Sequence, residues 1–435
     1  MADPRALLEQ AFAAAVAAAD PLRVLAAHLP APAEAGVGRT LAVGAGKAAA
    51  SMALALERHW PADAALGGLV VTRYAHGLPC RRIEVVEAGH PMPDAAGEQA
   101  AARIAALAAG LDAKDRLIAL VSGGGSSLLS LPAAGVPMAE LRAVTGALLA
   151  SGAPIQEINV VRKHLSRIQG GRLAALTRAR VLALVISDVA GDELSAIASG
   201  PCAPDPSTYA DALDVLRRWD VEAPPAVAAH LARGLAGDID ETPKPGDPVF
   251  DRVEHRLVAT AHDALQAAAG VFEAAGIRPV VLGDTITGEA RDVAQVLGAI
   301  AREIARRDAP FARPVALLSG GECTVTVRGK GRGGRCTEFL LALARELAGV
   351  PGAWAIAADT DGIDGVEDNA GALLAPDTLA RAAALGLDAR RRLDDNDGHG
   401  FFAALGDLIV TGPTRTNVND FRAIVLMPPG SPAGA

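Results

Sequence analysis

A chain of 435 residues exceeds what one ordinary hydrophobic core organises, so two domains are the starting expectation, and a hydrophobic share of 51% is ample to build them. A formal charge of −9 and an aromatic share of 3% argue against nucleic acid and anionic membranes as partners, since both call for a basic footprint and single strands also for stacking platforms. An anionic ligand must therefore meet a local cluster of cations. Cys80, Cys202, Cys323 and Cys336 are scattered, with no C-x-x-C pair and no His spacing for zinc, which suits reduced thiols. No uncharged apolar run reaches the roughly 18 residues of a membrane span, and no basic n-region opens the chain, so a cytoplasmic location is expected.

Residues 5–30 read as two short helices divided at Asp20-Pro21. The stretch from Thr40 then passes from a continuous apolar run through Gly44-x-Gly46-Lys47 to a helical pattern, which is a strand, a glycine turn and a helix. It matches only the front of a dinucleotide fingerprint and lacks the Ser/Thr of a Walker A loop. Lys47 falls in the expected first helical turn, where a cation opposes the helix dipole, so it points to an anionic partner. Further strands at Gly67–Arg73 and Ile83–Glu87 follow, the second leading to His90, which either lines the site or is merely held in a rigid loop.

The central element is Arg116–Ser127, RLIALVSGGGSS, a buried strand that breaks into Gly123, Gly124 and Gly125 between Ser122 and Ser126-Ser127. Such a turn exposes backbone N–H groups, and with Ser126 as a helix cap it would favour phosphate or carboxylate. Arg162, Lys163 and Arg167 form a basic cluster on a later helix. The strand Val181–Ile186 delivers Asp188, with Asp192 just beyond, at the edge where parallel strands present catalytic or metal carboxylates.

The segment Gly237–Pro248, GDIDETPKPGDP, reads as a linker and divides the chain near residue 240. Beyond it a strand–helix rhythm resumes. Pro314–Cys323 repeats the strand-to-Ser-Gly-Gly pattern and carries Glu322. The run Gly329–Arg335, GKGRGGR, sets three cations among four glycines before a helix and reads as an anion clamp formed by Arg332, Gly333, Gly334 and Arg335. The next strand delivers Asp359, Asp361 and Asp364, whose spacing fails the EF-hand pattern but suits magnesium, which keeps most of its waters. The tail at 429–435 is expected to be disordered. No nucleophile with a paired base emerges. Phosphoryl transfer, which needs positioning and cations rather than covalent help, fits the constellation.

These residues resemble the MOFRL-type glycerate kinases, the glycerate 2-kinases, some of which are named hydroxypyruvate reductases. The resemblance spans nearly the whole chain: GAGKA at Gly44–Ala48, EAGHPMPD at Glu87–Asp94, SGGGSSLL at Ser122–Leu129, NVVRKHLSRIQGG at Asn159–Gly171, SDVAGDELSAIASGP at Ser187–Pro201, SGGECTV at Ser319–Val325, GRGGR at Gly331–Arg335, DTDGIDG at Asp359–Gly365 and TGPTRTNVND at Thr411–Asp420. It implies an α/β fold in two domains: an N-terminal Rossmann-like parallel sheet with helices on both faces over residues 1–240, and a smaller C-terminal α/β MOFRL domain over 241–428.

It also implies transfer of the γ-phosphoryl group of ATP, with Mg2+, to the 2-hydroxyl of D-glycerate in the cleft between the domains, by a monomer or homodimer. Lys47 and Arg335 carry over as catalytic cations, with Asp188 as a third catalytic residue. Gly44, Gly46, Ser122, Gly123, Gly124, Gly125, Ser126, Ser127, Arg162, Lys163, Glu322, Arg332, Gly333 and Gly334 stand as phosphate- or substrate-binding, and Asp188, Asp192, Asp359 and Asp361 as metal ligands. Two departures stand out: Cys336 where the family usually has Asn, which removes a ligand hydrogen bond, and Arg415 in place of Gly. An NAD(P)H-dependent hydroxypyruvate reductase is the alternative, weakened because the next strand ends in Thr72-Arg73 with no acid for a ribose hydroxyl, although Arg73 leaves NADP open. A sugar-acid or nucleotide sensor would keep the anion clamp without needing the metal carboxylates.

Overall fold

The computed structural model describes residues 3–31 and 38–428, so the tail expected at 429–435 lies outside the described residues. The chain forms two compact units, one of residues 21–258 and one that joins the N-terminal residues up to Asp20 to everything from Ala259 onward. This differs from the division near residue 240, and for two physical reasons. The Pro-rich segment at 237–248 is stitched into the first unit: the Glu241 carboxylate accepts from the Tyr209 N–H at 2.8 Å, and the Pro243 carbonyl accepts from the Asp205 N–H at 2.9 Å. The first helix, Pro4–Ala18, instead packs on the helix Ala261–Ala274, with Phe12 and Phe421 rings 6.0 Å apart. The break at Asp20-Pro21 is thus a unit boundary.

The first unit holds a six-stranded sheet of β1 (Thr40–Ala45), β2 (Gly67–Arg73), β3 (Glu84–Ala88), β4 (Arg116–Ser122), β5 (Arg180–Ile186) and β6 (Val253–Ala259), ordered β3-β2-β1-β4-β5-β6. Pairs from β3 to β5 are all parallel. Odd-numbered residues such as Val43, Val71, Ala119 and Ala183 face a core shared with the helix Ala95–Ala109. Their even-numbered neighbours Ala42, Val70, Ile118 and Leu184 are equally buried, and the helix Ala49–His59 packs against β1, β2 and β4. Both faces are covered, which is why these strands read as continuous apolar runs rather than alternating ones. The strand beginning near His255, expected in the second domain, completes this first sheet as β6.

In the second unit β7 (Arg278–Gly283), β9 (Val315–Ser319), β11 (Ala353–Asp359), β12 (Gly371–Leu374), β13 (Leu408–Ile409) and β14 (Asp420–Leu426) form a sheet ordered β13-β12-β11-β14-β9-β7, while β8 (Gly288–Glu289) and β10 (Cys323–Thr324) pair separately. The helices Ala290–Arg307 and Arg335–Leu347 cover one face. Only β7 and β9 are parallel; β14 runs antiparallel between β9 and β11. That inversion has a consequence for the site. The amino end of β14 lies beside the carboxyl ends of β9 and β11, with Asp420 opposite Asp359 and Arg422 opposite Ser319.

Candidate active site

In the first unit the glycines of the first turn are required by strand packing. A Cβ on Gly44 would lie 1.9 Å from the Leu120 carbonyl oxygen, and one on Gly46 would lie 2.1 Å from the Ser122 hydroxyl. The Lys47 N–H donates to the Gly123 carbonyl at 2.8 Å and the Ala48 N–H to Ser122 Oγ at 3.1 Å, so Gly44, Gly46 and Ser122 lock β1 to β4 rather than cradle a phosphate. Lys47 precedes the helix, which begins at Ala49, and is half-buried.

The second glycine turn draws several candidate residues together. Gly124, at φ 79, is in the left-handed region, and a Cβ there would lie 3.0 Å from His90 Nε2 and 3.3 Å from Lys47 Cγ. The fold thus brings Lys47, His90 and the Gly123–Gly125 turn together at the carboxyl edge of the sheet, where open α/β sheets bind ligands. Ser126 does not cap a long helix: Gly124 occupies that position, and the helix that follows, Gly125–Leu128, is a single turn. Ser126 is instead supported by other loops, since Ser199 Oγ donates to Ser126 Oγ at 2.9 Å and Gln169 Nε2 donates to the Ser126 carbonyl at 2.7 Å. Ala198 and Ser199, at φ 51 and 59, hold left-handed conformations that cost energy outside glycine, as residues at functional sites do. The Ser127 hydroxyl donates to the Gly124 carbonyl at 3.2 Å. Asp188 and Asp192 lie on the loop after β5, at the same sheet edge, and both are partly exposed.

In the second unit Arg335 opens the helix Arg335–Leu347 and is held from behind by two buried carboxylates. Its Nε donates to Asp420 at 2.7 Å and its Nη2 to Asp359 at 2.6 Å, while Nη1 faces the exposed Glu322 at 3.5 Å. Burial alone would lower the guanidinium's pKa, but Asp420 and Asp359 outweigh it and hold the group well above its ordinary value. The cation is permanent and its orientation fixed. Asp420 also lies 3.6 Å from Arg422, which is fully buried, donates to Cys323 Sγ at 2.8 Å and to the Ile286 carbonyl at 3.1 Å, and sits 5.7 Å over the Phe339 ring. Of this network the sequence reading names Arg335 and Asp359 and misses Asp420 and Arg422. A charged pair at alternate positions in the buried strand DFRAIVL was their only trace.

Residues 7–232 match a family described as a domain of unknown function (DUF4147), and residues 315–420 match the MOFRL family. A glycerate 2-kinase of Pyrococcus horikoshii is 39% identical over 88% of this chain and 86% of its own, and a crystal structure of glycerate kinase from Thermotoga maritima superimposes with a TM-score of 0.85 at 37% identity, covering 97% of this chain and 99% of that one. The chain belongs to the MOFRL-type glycerate kinase family. An Agrobacterium vitis protein, 50% identical over 97% of this chain and 94% of its own, bears only a provisional hydroxypyruvate reductase name.

Against this family background several sequence assignments are corrected. Lys163 is turned inward, its ammonium 2.6 Å from Asp205 with both side chains buried, so it braces the fold rather than a ligand. Replacing it leaves Asp205 charged and unpaired, and Lys163→Met is expected to cost about 3–5 kcal/mol in urea unfolding while the folded fraction keeps its substrate KM. The glycine-rich clamp at 329–334 is already filled. The Gly329 N–H donates to Asn396 Oδ1 and those of Lys330 and Arg332 to Asp395 and Asp397, while a Cβ on Gly333 would lie 2.8 Å from Thr337 Oγ1 and one on Gly334 2.2 Å from Asp364 Oδ1, so both glycines sit in a packed turn. Arg332 reaches out to Glu367 in an exposed ion pair, which suits neither phosphate nor a strong stabilising role.

Asp364 caps the helix of Arg335, accepting from the Cys336 and Thr337 N–H groups at 2.9 Å each, and so takes the place an anionic ligand would fill there. Asp359 spends one oxygen on Arg335 and the other on the Asp361 N–H at 3.0 Å, so it orients Arg335, and Asp361 accepts from the Ile363 N–H at 2.9 Å. No group of three or more His, Cys, Asp or Glu suited to a metal occurs among the described residues. Cys336 is buried in the apolar cluster beside Phe339, with its thiol pushed well up by burial, so its side chain packs and does not meet a ligand. Arg415 stands at φ 60, a conformation that favours the Gly usual at that position.

Proposed function

We infer that the chain transfers the γ-phosphoryl group of ATP to the 2-hydroxyl of D-glycerate, giving 2-phosphoglycerate and ADP. The observation that carries this is the convergence of Lys47 and His90 on the Gly123–Gly125 turn at a parallel-sheet edge, in a chain akin over nearly its whole length to glycerate 2-kinases. Phosphoryl transfer asks for in-line positioning and for fixed cations where charge develops, and little else from the protein. The turn supplies close backbone approach without Cβ interference. Lys47 serves the nucleotide phosphates at that turn, and Arg335, held rigid by Asp359 and Asp420, is the fixed cation of the second unit. Asp188, at the end of β5, suits a magnesium ion carried in on the nucleotide, where the ion would spread charge over phosphate oxygens. The four free cysteines agree with a reducing cytoplasmic setting.

The reductase reading loses its main support. Its fingerprint glycines are accounted for by β1–β4 packing, and the N–H groups of Lys47 and Ala48 are already bonded within the protein. A coupled assay decides: purified protein with magnesium and ATP should release ADP only when D-glycerate is added. Oxidation of NADH with hydroxypyruvate, without ADP release, would overturn the proposal.

A further inference from the structure

The basic cluster on the helix Ile155–His164 contains one cation whose position the fold itself does not explain. Lys163 is consumed by Asp205 and Arg167 is exposed, but Arg162 is half-buried and has no carboxylate within ion-pair distance among the described residues. Its single hydrogen bond runs from Nη1 to Asn159 Oδ1 at 3.2 Å. Burial pushes its pKa down to about 10, so the group stays charged at neutral pH while bearing the cost of lost water. A cation in the last turn of a helix gains from the helix dipole, yet that gain is small and does not ask for burial.

Arg162 lines a crevice together with Ser126, Ser127, Ser130, Thr145, Ser166 and Gln169. Most of these are engaged with one another or with backbone: Ser130 Oγ donates to the Ser127 carbonyl, Ser166 Oγ accepts from the Ile168 and Gln169 N–H groups, and Gln169 holds the Ser126 carbonyl. The Thr145 side chain, only 3% exposed, lines the same crevice. A guanidinium short of an anion and a hydroxyl thus share one small space. The space has room for about one water molecule, which excludes a nucleotide. Its wall at Ser126-Ser127 continues directly into Gly124, against which Lys47 and His90 lie.

We propose that this crevice is the carboxylate subsite of the acceptor, with Arg162 and Thr145 binding the carboxylate of a short 2-hydroxy acid so that its hydroxyl lies toward the Gly123–Gly125 turn. The proposal rests on the kinase reading and adds to it how the acceptor is chosen: alcohols without a carboxylate leave Arg162 unpaired. A charge-assisted pair held equally in ground and transition states governs KM rather than kcat.

The test compares wild type with Arg162→Met, Arg162→Lys and Thr145→Val in steady-state kinetics, with thermal melting as a control. Arg162→Met should raise KM for D-glycerate by about 10- to 100-fold, with KM for ATP within about two-fold and kcat within about three-fold. Arg162→Lys and Thr145→Val should show smaller rises in the same parameter. They carry the test if the methionine variant does not fold. In calorimetry, 3-hydroxypropionate, which keeps the carboxylate but lacks the 2-hydroxyl, should bind wild type and not Arg162→Met, whereas inorganic phosphate should not distinguish them. An unchanged KM for glycerate across folded variants, or a rise confined to ATP, overturns the subsite. Failure of wild type to phosphorylate glycerate would instead defeat the kinase reading, and the 3-hydroxypropionate titration would still judge the subsite.

Discussion

Arg335→Ala is expected to lose nearly all turnover and to lose stability with it. The side chain lies outside the apolar pattern, which alone would make it a dispensable surface cation, but its partners decide otherwise. Asp359 and Asp420 have side chains 2% and 1% exposed and face the guanidinium directly. Removing the cation leaves two buried carboxylates close together, and breaking one such buried pair costs about 3–5 kcal/mol. Loss of a cation that stabilises a transferring phosphoryl group costs roughly 10³-fold or more in rate. Arg335→Lys separates the two effects. It returns a charge to the carboxylates and recovers much of the melting temperature, but it lacks the planar fork that reaches both Asp residues and a ligand at once, so kcat stays low. Urea unfolding beside steady-state kinetics of both variants checks this. A stable Arg335→Ala protein with near wild-type kcat/KM would show that the cation is neither structural nor catalytic.

Lys47→Ala should give the opposite separation, with kcat lowered by about 10³-fold and melting nearly unchanged. Lys47 is half-buried on a turn held by its own backbone N–H, which donates to the Gly123 carbonyl, and by neighbouring glycines, all of which the alanine variant keeps. Its side chain passes Gly124, so a longer residue at 124 would collide with it and with His90. An alanine variant that keeps its kcat would remove Lys47 from the machinery. One that unfolds would make the lysine structural.

The strands and glycine turns of the first unit are legible in sequence because a doubly covered parallel sheet writes its strands as unbroken apolar runs ending in Gly and Ser. What those glycines do is less legible. Gly44 and Gly123–Gly125 look alike as letters, yet the former serves a backbone contact with Leu120 and the latter forms the turn beside Lys47 and His90. Only the register of β1 against β4 tells them apart. Charge misleads in the same way. Lys163 and Arg162 are adjacent on one helix, and a rotation of about 100° per residue turns one onto Asp205 and the other into a crevice. In the second unit the strand–helix rhythm suggests parallel strands, but β14 runs backward between β9 and β11. The site there depends on that reversal, since it sets Asp420 beside Asp359 around Arg335, a pairing between residues 61 positions apart that no local pattern announces.

The most direct test of the central claim is the identity of the product. Phosphorus NMR of a reaction containing the purified protein, magnesium, ATP and D-glycerate should show the γ-phosphate resonance falling as ADP and a single phosphomonoester appear, with coupling to one carbon-bound proton, as phosphate on the 2-hydroxyl requires. A phosphomonoester coupled to two methylene protons would place the phosphate on the 3-hydroxyl, and an unchanged ATP spectrum would contradict the kinase account altogether.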